Sequence, residues 1–463
     1  MVAAGMRANA ARTLGTNERL WAAVGASVAA ITLPLVLLSP ALWNGYPLLQ
    51  YDTGGYIARW HEGYLVPSRS TVFGFYLNFG ESAHFWLNIK LQALATLWIL
   101  QATLRVFGVA HPLQIVAIGV ALALTTALPW LSSLLLTDIF AGLSVLSLFL
   151  LVVHSEKFGG FERGALFVFT AFAGASHNAT LAVLIGLCAA AWLVRRWGPS
   201  WVSFEGAMRG SLTLPVAAAM LLAANFMTSG KLAWTPGGYG IAFSRVLQDG
   251  IVVRYLNDNC PRERLKLCPH RNALPTNGDT FLWGGGVFNE LGRFDGLGDE
   301  MRHIVLRSLV EYPGHHVVAA IKSTVAQLSM VATGEGVHWD LMHTHRIIER
   351  YLPHEAPFMK DSRQHRGELS FVAANDIHVP IAWVSMLMVA AFLAYALWRR
   401  RIDDFALLTG TVTLAILGNA FVCGVLSGPH DRYGSRMVWI ATFAVLLVLT
   451  RSFGGAAQAA ADR

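Results

Sequence analysis

Residues 21–43 read WAAVGASVAAITLPLVLLSPALW, and this stretch decides what kind of fold the chain can adopt. It carries no charged residue, and it is as long as the roughly 20 residues that a helix needs to cross a bilayer. The segment after it, YPLLQYDTGGYIARWHEGYLVPSRSTVFGFYL, has neither the composition of a second span nor that of a flexible linker. We therefore expect a membrane span followed directly by a structured loop.

The composition of the whole chain is that of a polytopic membrane protein. Of its 463 residues, 54% are hydrophobic and only 14% are charged, and the mean hydropathy is +0.48. Polar residues cluster between apolar runs, which predicts an all-α protein with about ten transmembrane helices. The fifth and sixth apolar runs are too short to cross upright, which favours a broken or re-entrant pair. The predicted spans are 21–43, 85–104, 112–128, 131–153, 165–175, 179–194, 211–227, 379–398, 405–426 and 437–450.

Lysine and arginine near the span ends indicate the orientation of the chain. They cluster in the loops that ten spans place on one common side, together with both termini. That side is expected to be the cytoplasm of a bacterial cell, so the protein is predicted to lie in the inner membrane. The predicted units are an N-terminal transmembrane module (1–227), a mostly helical extracytoplasmic segment (228–378) and C-terminal transmembrane helices (379–463). The net charge of +7 then reflects cytoplasmic arginine and predicts no nucleic-acid partner.

Asp52, in the first loop, is the first residue that could perform chemistry. The sequence Asp-Thr-Gly-Gly is also typical of turns and helix N-termini. The alternative is therefore that Asp52 only forms a turn or caps a helix. The loop is nevertheless rich in large side chains, among them Tyr56, Arg59 and Arg69. A carboxylate held beside aromatic rings at the membrane surface is suited to removing a proton from a hydroxyl.

Two further polar residues stand in apolar surroundings. Asp138 lies near the start of the fourth predicted span, where an ionisable group is costly and usually faces a cavity or a partner. A structural charge paired to a neighbouring helix is the alternative. His177 interrupts the apolar run between the fifth and sixth spans, where it is either a packing residue or a group that holds a phosphate.

The segment GPHDRYGSRM leads into the last predicted span and carries Arg432, Tyr433 and Arg436. Two arginines near the interface could serve only as anchors to lipid headgroups. A guanidinium also binds phosphate oxygens as a fork. Arg432 and Arg436 would therefore equally suit a lipid-linked monophosphate or diphosphate.

The cysteine and histidine pattern gives one structural prediction. Cys260 and Cys268 lie eight residues apart in a predicted periplasmic loop, a spacing that suits a disulfide in an oxidising compartment. A zinc site with His270 lacks a fourth ligand at a recognisable spacing. The run GVHWDLMHTHRI at 336–347 is more typical of a mixed polar surface than of a metal site. No metal and no cofactor are predicted.

The layout resembles the GT-C class of integral membrane glycosyltransferases. The resemblance covers about residues 21–198 and depends on Asp52 in QYDTGGYI, the segment SRSTVFGFYL at 68–77, Pro129, Asp138 and His177. Mannosyl- and aminoarabinosyl-transferases belong to this class, which often has lysine or arginine at the position of His177. The stretch after Asp52 has diverged from theirs.

The resemblance implies transfer of a sugar from a polyprenyl-phosphate carrier to an acceptor at the outer face of the membrane. It further implies inversion at the anomeric carbon, with the carboxylate of Asp52 as base. We predict that Asp138 is a second catalytic carboxylate and that Tyr56 and Tyr433 contact substrate. The residues predicted to bind the donor phosphate are Arg59, Arg69, His177, Arg432 and Arg436. The expected partners are the bilayer, the lipid-linked donor and a glycan, lipid or protein acceptor. A polytopic transporter or a flippase for lipid-linked glycans is the alternative, since intramembrane charges also serve such proteins.

Overall fold

The computed structural model describes residues 25, 29–63, 65, 68–198, 200–234, 238–260 and 262–461. Across these ranges the chain forms helices and loops, without a β-strand. One isolated parallel bridge joins Leu48 to Leu134. The all-α prediction is therefore confirmed for the described part of the chain. Much of the first half of the predicted 21–43 span lies outside the described residues. Residues 29–37, in the middle of that span, are helical.

The first half of the chain forms ten helices that we number in order, after residues 29–37. They are α1 (Ser39–Asn44), α2 (Thr53–Glu62), α3 (Thr71–Phe79), α4 (Trp86–Val106), α5 (Pro112–Thr125), α6 (Leu128–Ser133), α7 (Asp138–Val153), α8 (Gly160–Ser176), α9 (Asn178–Trp197) and α10 (Phe204–Ser229). Short 3₁₀ turns occur at Glu81–Ala83 and Ser155–Lys157.

The second half begins with short helices and ends with three long ones. They are α11 (Gly238–Gln248), α12 (Ile251–Asn259), α13 (Gly278–Trp283), α14 (Val287–Glu290), α15 (Arg293–Glu311), α16 (Pro313–Ser329), α17 (Met342–Tyr351), α18 (Ala356–Asp361), α19 (Val372–Trp398), α20 (Asp404–Leu426) and α21 (Asp431–Ala461). A 3₁₀ turn lies at Cys268–His270.

Five of the described helices are long and apolar enough to cross a membrane: α9, α10, α19, α20 and the Asp431–Thr450 part of α21. Helices α5 and α7 are apolar but have only 14 and 16 residues. The structure therefore supports a membrane protein with several spans, whereas the predicted number of ten is not established. The prediction that the run at 179–194 is too short to cross is wrong, because α9 has 20 residues.

Helix α7 lies at the centre of the bundle, and every residue from Asp138 to Val152 is buried. It packs against α4, α8, α9, α10, α20 and α21. Gly142 allows α21 to approach closely, since a Cβ at this position would lie 2.7 Å from the indole nitrogen of Trp439 in α21. Small residues permit this kind of close helix packing. The first turns of α7 and α21 are thereby held side by side.

The segment between α10 and α19 contains a second apolar core. Phe243, Val252, Phe281 and Met301 are among its fully buried members, contributed by α11, α12, α13 and α15. A disulfide joins Cys260 to Cys268 at the edge of this core, with the two Cα atoms 5.5 Å apart. The predicted pairing is thus present in the structure.

Candidate functional site

Six of the predicted site residues, far apart in the chain, meet at one end of the bundle. We call this group the ionic centre. Asp52 precedes α2, Arg69 precedes α3, and His177 separates α8 from α9. Asp138 is the first residue of α7, and two arginines come from the first turns of α21. The members of the ionic centre are Asp52, Arg69, Asp138, His177, Arg432 and Arg436.

Arg432 links the two carboxylates of the centre. Its Nη1 donates to Oδ2 of Asp52 at 2.7 Å, and its Nε donates to Oδ2 of Asp138 at 2.8 Å. The side chain of Arg432 is 11% exposed, and that of Asp138 is 1% exposed. Bonds between charged groups with so little water around them are stronger than those at a surface. One guanidinium therefore sets the separation of both acidic groups.

Arg436 forms a deeper layer beneath Arg432. It is fully buried, and its Nη1 donates to Oδ1 of Asp138 and to Nδ1 of His177, each at 3.4 Å. Its Nη2 donates to Oδ1 of Asn419 at 2.8 Å. The extended backbone of His177, with φ −152° and ψ 123°, ends α8 and begins α9, so the ring stands at a helix junction facing this arginine.

Arg69 closes the other side of the centre. Its Nη2 donates to Oδ1 of Asp52, and its guanidinium lies over the ring of Tyr56, 5.8 Å from the centroid. The ring of Tyr433 lies beside both arginines of α21, with centroid distances of 5.5 Å to Arg432 and 5.1 Å to Arg436. The two predicted substrate-contacting tyrosines therefore act in this structure as aromatic faces for the guanidinium groups.

Backbone contacts between two loops bring the carboxylates together. The amide of Leu48 donates to the carbonyl of Ser133, and the amide of Leu135 donates to the carbonyl of Leu48, both at 2.9 Å. The hydroxyl of Thr53 donates to the carbonyl of Leu135 at 3.1 Å. These bonds fix the residue before Thr53 next to the loop that enters α7, which is why Asp52 and Asp138 can share one arginine.

The electrostatic surroundings keep Asp52 ionised. Burial of the carboxyl opposes ionisation, but the nearby charges of Arg69 and Arg432 outweigh burial and lower its pKa to about 2. Three guanidinium groups face two carboxylates in the centre, so positive charge is in excess. A small polar cavity adjoins it, lined by Arg69, His177, Asn178 and Trp234 among others. This arrangement suits an anion.

Arg59 lies in a different network from the other predicted phosphate ligands. It is buried in α2, and its Nη1 donates to the hydroxyl of Thr71 at 2.8 Å. That hydroxyl donates to Asn225 of α10 at 2.6 Å. Arg59 therefore fastens α2 to α3 and α10, while the ionic centre forms without it.

The sequence analysis did not single out Asn419 or Glu335. Asn419 of α20 holds Arg436, and Glu335 accepts the backbone amide of Arg432 at 2.8 Å. Neither stands in a motif, so only the fold reveals them. In the histidine-rich run at 336–347, Asp340 and His343 are exposed whereas Leu341 and Thr344 are buried, and His338 bonds to the hydroxyl of Tyr51. Within the described ranges no group of three or more His, Cys, Asp or Glu residues could hold a metal ion.

The chain was compared with protein-family models, curated proteins and solved structures. None of them matches it.

Proposed function

We propose that the protein is an inverting membrane glycosyltransferase that moves a sugar from a polyprenyl-phosphate donor to an acceptor hydroxyl at the outer face of the membrane. The observation that supports this best is the pairing of Asp52 with two arginines beside a second, buried carboxylate. Sugar transfer needs a base for the acceptor and positive charge for the departing phosphate. The ionic centre supplies both within one hydrogen-bonded group.

The excess of guanidinium groups supports a phosphate ligand. Arginine matches phosphate oxygens with two parallel N–H donors, and of the three arginines of the centre Arg69 and Arg432 retain some exposure, 21% and 11%. Arg436 and Asp138 are nearly inaccessible. We therefore assign donor-phosphate binding to Arg69 and Arg432, and we assign to Arg436 and Asp138 the task of orienting Arg432.

The proposed reaction step is a single displacement. The acceptor oxygen attacks the anomeric carbon as its proton passes to a carboxylate oxygen of Asp52. The bond between the anomeric carbon and the phosphate oxygen breaks, and its electron pair leaves with the phosphate. Arg69 and Arg432 stabilise the charge that develops there. One base and no covalent intermediate give inversion, by the logic established for glycoside hydrolysis.

The ion pairs of Asp52 imply that the donor binds before Asp52 becomes an effective base. A carboxylate whose pKa is about 2 is ionised but only weakly basic. Its low pKa is caused by the same arginines that we assign to the donor. A phosphate that draws Arg69 and Arg432 away would raise the pKa of Asp52 toward its ordinary value of 3.8. Arrival of the donor would thus increase the basicity of Asp52.

The test is transfer from a defined polyprenyl-phosphate sugar by purified protein in nanodiscs. Asp52→Asn keeps the shape of the side chain but removes its basicity, so turnover should fall roughly 10²–10⁴-fold. Asp361→Asn is the matched control, because Asp361 is 92% exposed and pairs only with Arg366 among the ion pairs of the described residues. The control should keep parental turnover.

Two results would contradict the proposal. Near-parental turnover in Asp52→Asn together with loss of activity in Asp138→Asn would move the base to Asp138. Absence of transfer by the parent, combined with movement of a labelled lipid-linked glycan between leaflets, would favour a flippase.

A further inference from the structure

Arg432 is held from its backbone as well as from its side chain. The carboxylate of Glu335, in the loop between α16 and α17, accepts the backbone N–H of Arg432 at Oε2, 2.8 Å away. The other oxygen, Oε1, accepts a hydrogen bond from Nδ1 of His430 at 2.7 Å. Glu335 therefore binds the side chain of His430 and the backbone of Arg432, the residues on either side of Asp431, where α21 begins.

The surrounding loop is fixed by further bonds. The side-chain amide of Gln327 donates to the carbonyl of His430 at 2.8 Å and its oxygen accepts the His430 amide at 2.9 Å. Asp431 accepts the amide of Ala332 at 2.8 Å. His430, Asp431 and the backbone of Arg432 are thus joined to the end of α16 and to the loop after it. A carboxylate at the N-terminus of a helix also satisfies an amide that lacks a partner within the helix.

We propose that Glu335 and His430 form a positioning pair, which aligns Arg432 with the donor phosphate only while His430 is protonated. This inference rests on the proposed function, because it gives Arg432 a phosphate to bind. Neither residue touches the reacting atoms. Their effect is to hold the first turn of α21 in the register that lets Arg432 reach both Asp52 and Asp138.

The charges around His430 determine the direction of the pH dependence. The groups that face its ring are Glu335, Asp279 at 3.8 Å from Nε2, and the cationic Arg432, with Asp431 next to it in the chain. The hydrogen bond to Glu335 raises the pKa of His430, in spite of burial. Burial of Glu335 is outweighed by His430 and Arg432, and its pKa is lowered. The ion pair is therefore complete below the ordinary histidine pKa and is lost as the pH rises through the raised value.

The test measures binding of a methyl ester of polyprenyl phosphate to protein in nanodiscs between about pH 6 and pH 9. The single charge of this phosphodiester does not change in that range, and the carboxylate of Asp52 stays ionised throughout. The parent should bind more weakly as His430 loses its proton. Glu335→Gln keeps an oxygen for the Arg432 amide but cannot form the ion pair. It should bind roughly tenfold more weakly at low pH, with the pH dependence removed.

Hydrogen exchange provides a second readout. Protection of the peptide around residues 427–436, corrected for intrinsic exchange, should fall with rising pH in the parent and stay low in Glu335→Gln. Glu368→Gln is the matched control, since Glu368 is also partly exposed, at 39%, and pairs with Arg363 and Arg366 instead. Its binding and exchange should follow the parent.

Each outcome decides a different point. Equal binding and equal pH dependence in the parent and Glu335→Gln would overturn the positioning pair and leave the proposed function intact. Loss of protection without any change in binding would reduce Glu335 to a helix cap and would also overturn the inference. A parent that binds no polyprenyl phosphodiester at any pH would overturn the proposed function and this inference with it.

Discussion

Replacing Asp138 by asparagine tests whether the ionic centre is a coupled, buried network. Asp138 is 1% exposed and accepts hydrogen bonds from Arg432 at 2.8 Å and from Arg436 at 3.4 Å. Asparagine has nearly the same shape but no charge. The change therefore leaves the volume of the core almost constant and removes one of the two negative charges that face three guanidinium groups.

The expected loss of stability follows from the buried partner. Removing one member of a buried ion pair typically costs about 3–5 kcal/mol, because the other charge stays in a medium of low polarity. Arg432 would keep Asp52, and Arg436 would keep the amide oxygen of Asn419 at 2.8 Å. These remaining partners place the expected loss near the lower end, at about 3 kcal/mol.

The measurement is the free energy of unfolding by SDS titration in mixed micelles. Asp404→Asn is the matched control, because Asp404 is the first residue of α20 just as Asp138 is the first residue of α7. Its side chain is 47% exposed, with Lys157 3.8 Å away. An exposed pair is worth about 0–1 kcal/mol, and the helix-dipole contribution is the same in both variants. A loss below about 1 kcal/mol in both variants would refute the coupled network.

Two further predictions concern packing and acid stability. Gly142→Ala should destabilise the protein by about 1–3 kcal/mol, since its Cβ would lie 2.7 Å from the Trp439 indole nitrogen, whereas Gly186→Ala, with open space around it, should be neutral or stabilising in the same titration. The lowered pKa of Asp52, about 2 against an ordinary 3.8, contributes stability that is present above the ordinary value and is lost as the pH falls toward 2. The parent should therefore lose about 2 kcal/mol relative to Asp52→Asn over that acid range, and parallel pH curves for the two proteins would contradict this assignment.

The sequence allowed most members of the ionic centre to be chosen one at a time. A carboxylate inside an apolar run, a histidine that breaks such a run and two arginines before the last span are each costly enough to be noticed. Asp138, His177, Arg432 and Arg436 are of this kind, and the structure brings them together. Their roles in sugar transfer stay predictions.

What the sequence could not reveal depends on long-range contacts. Arg59 is closer to Asp52 in the chain than any other member of the centre is, but the turn of α2 directs it to Thr71. Glu335 belongs to the loop between α16 and α17, and its partner His430 is 95 residues away. Apolar composition also cannot separate a lipid-facing helix from a buried one. Helix α7, predicted as a span, is surrounded by protein along nearly its whole length.

The distance along the chain between the partners of the ionic centre has a consequence for biosynthesis. Asp138 is separated from Arg432 by 294 residues, so both arginines that neutralise it are synthesised long after it. At about 5–20 residues per second, the ribosome adds that stretch in roughly 15–60 s. During this interval α7 carries a carboxylate without its arginine partners, which would be unfavourable in apolar surroundings. A chain that stops before α21 would lack both of the arginines that pair with Asp138.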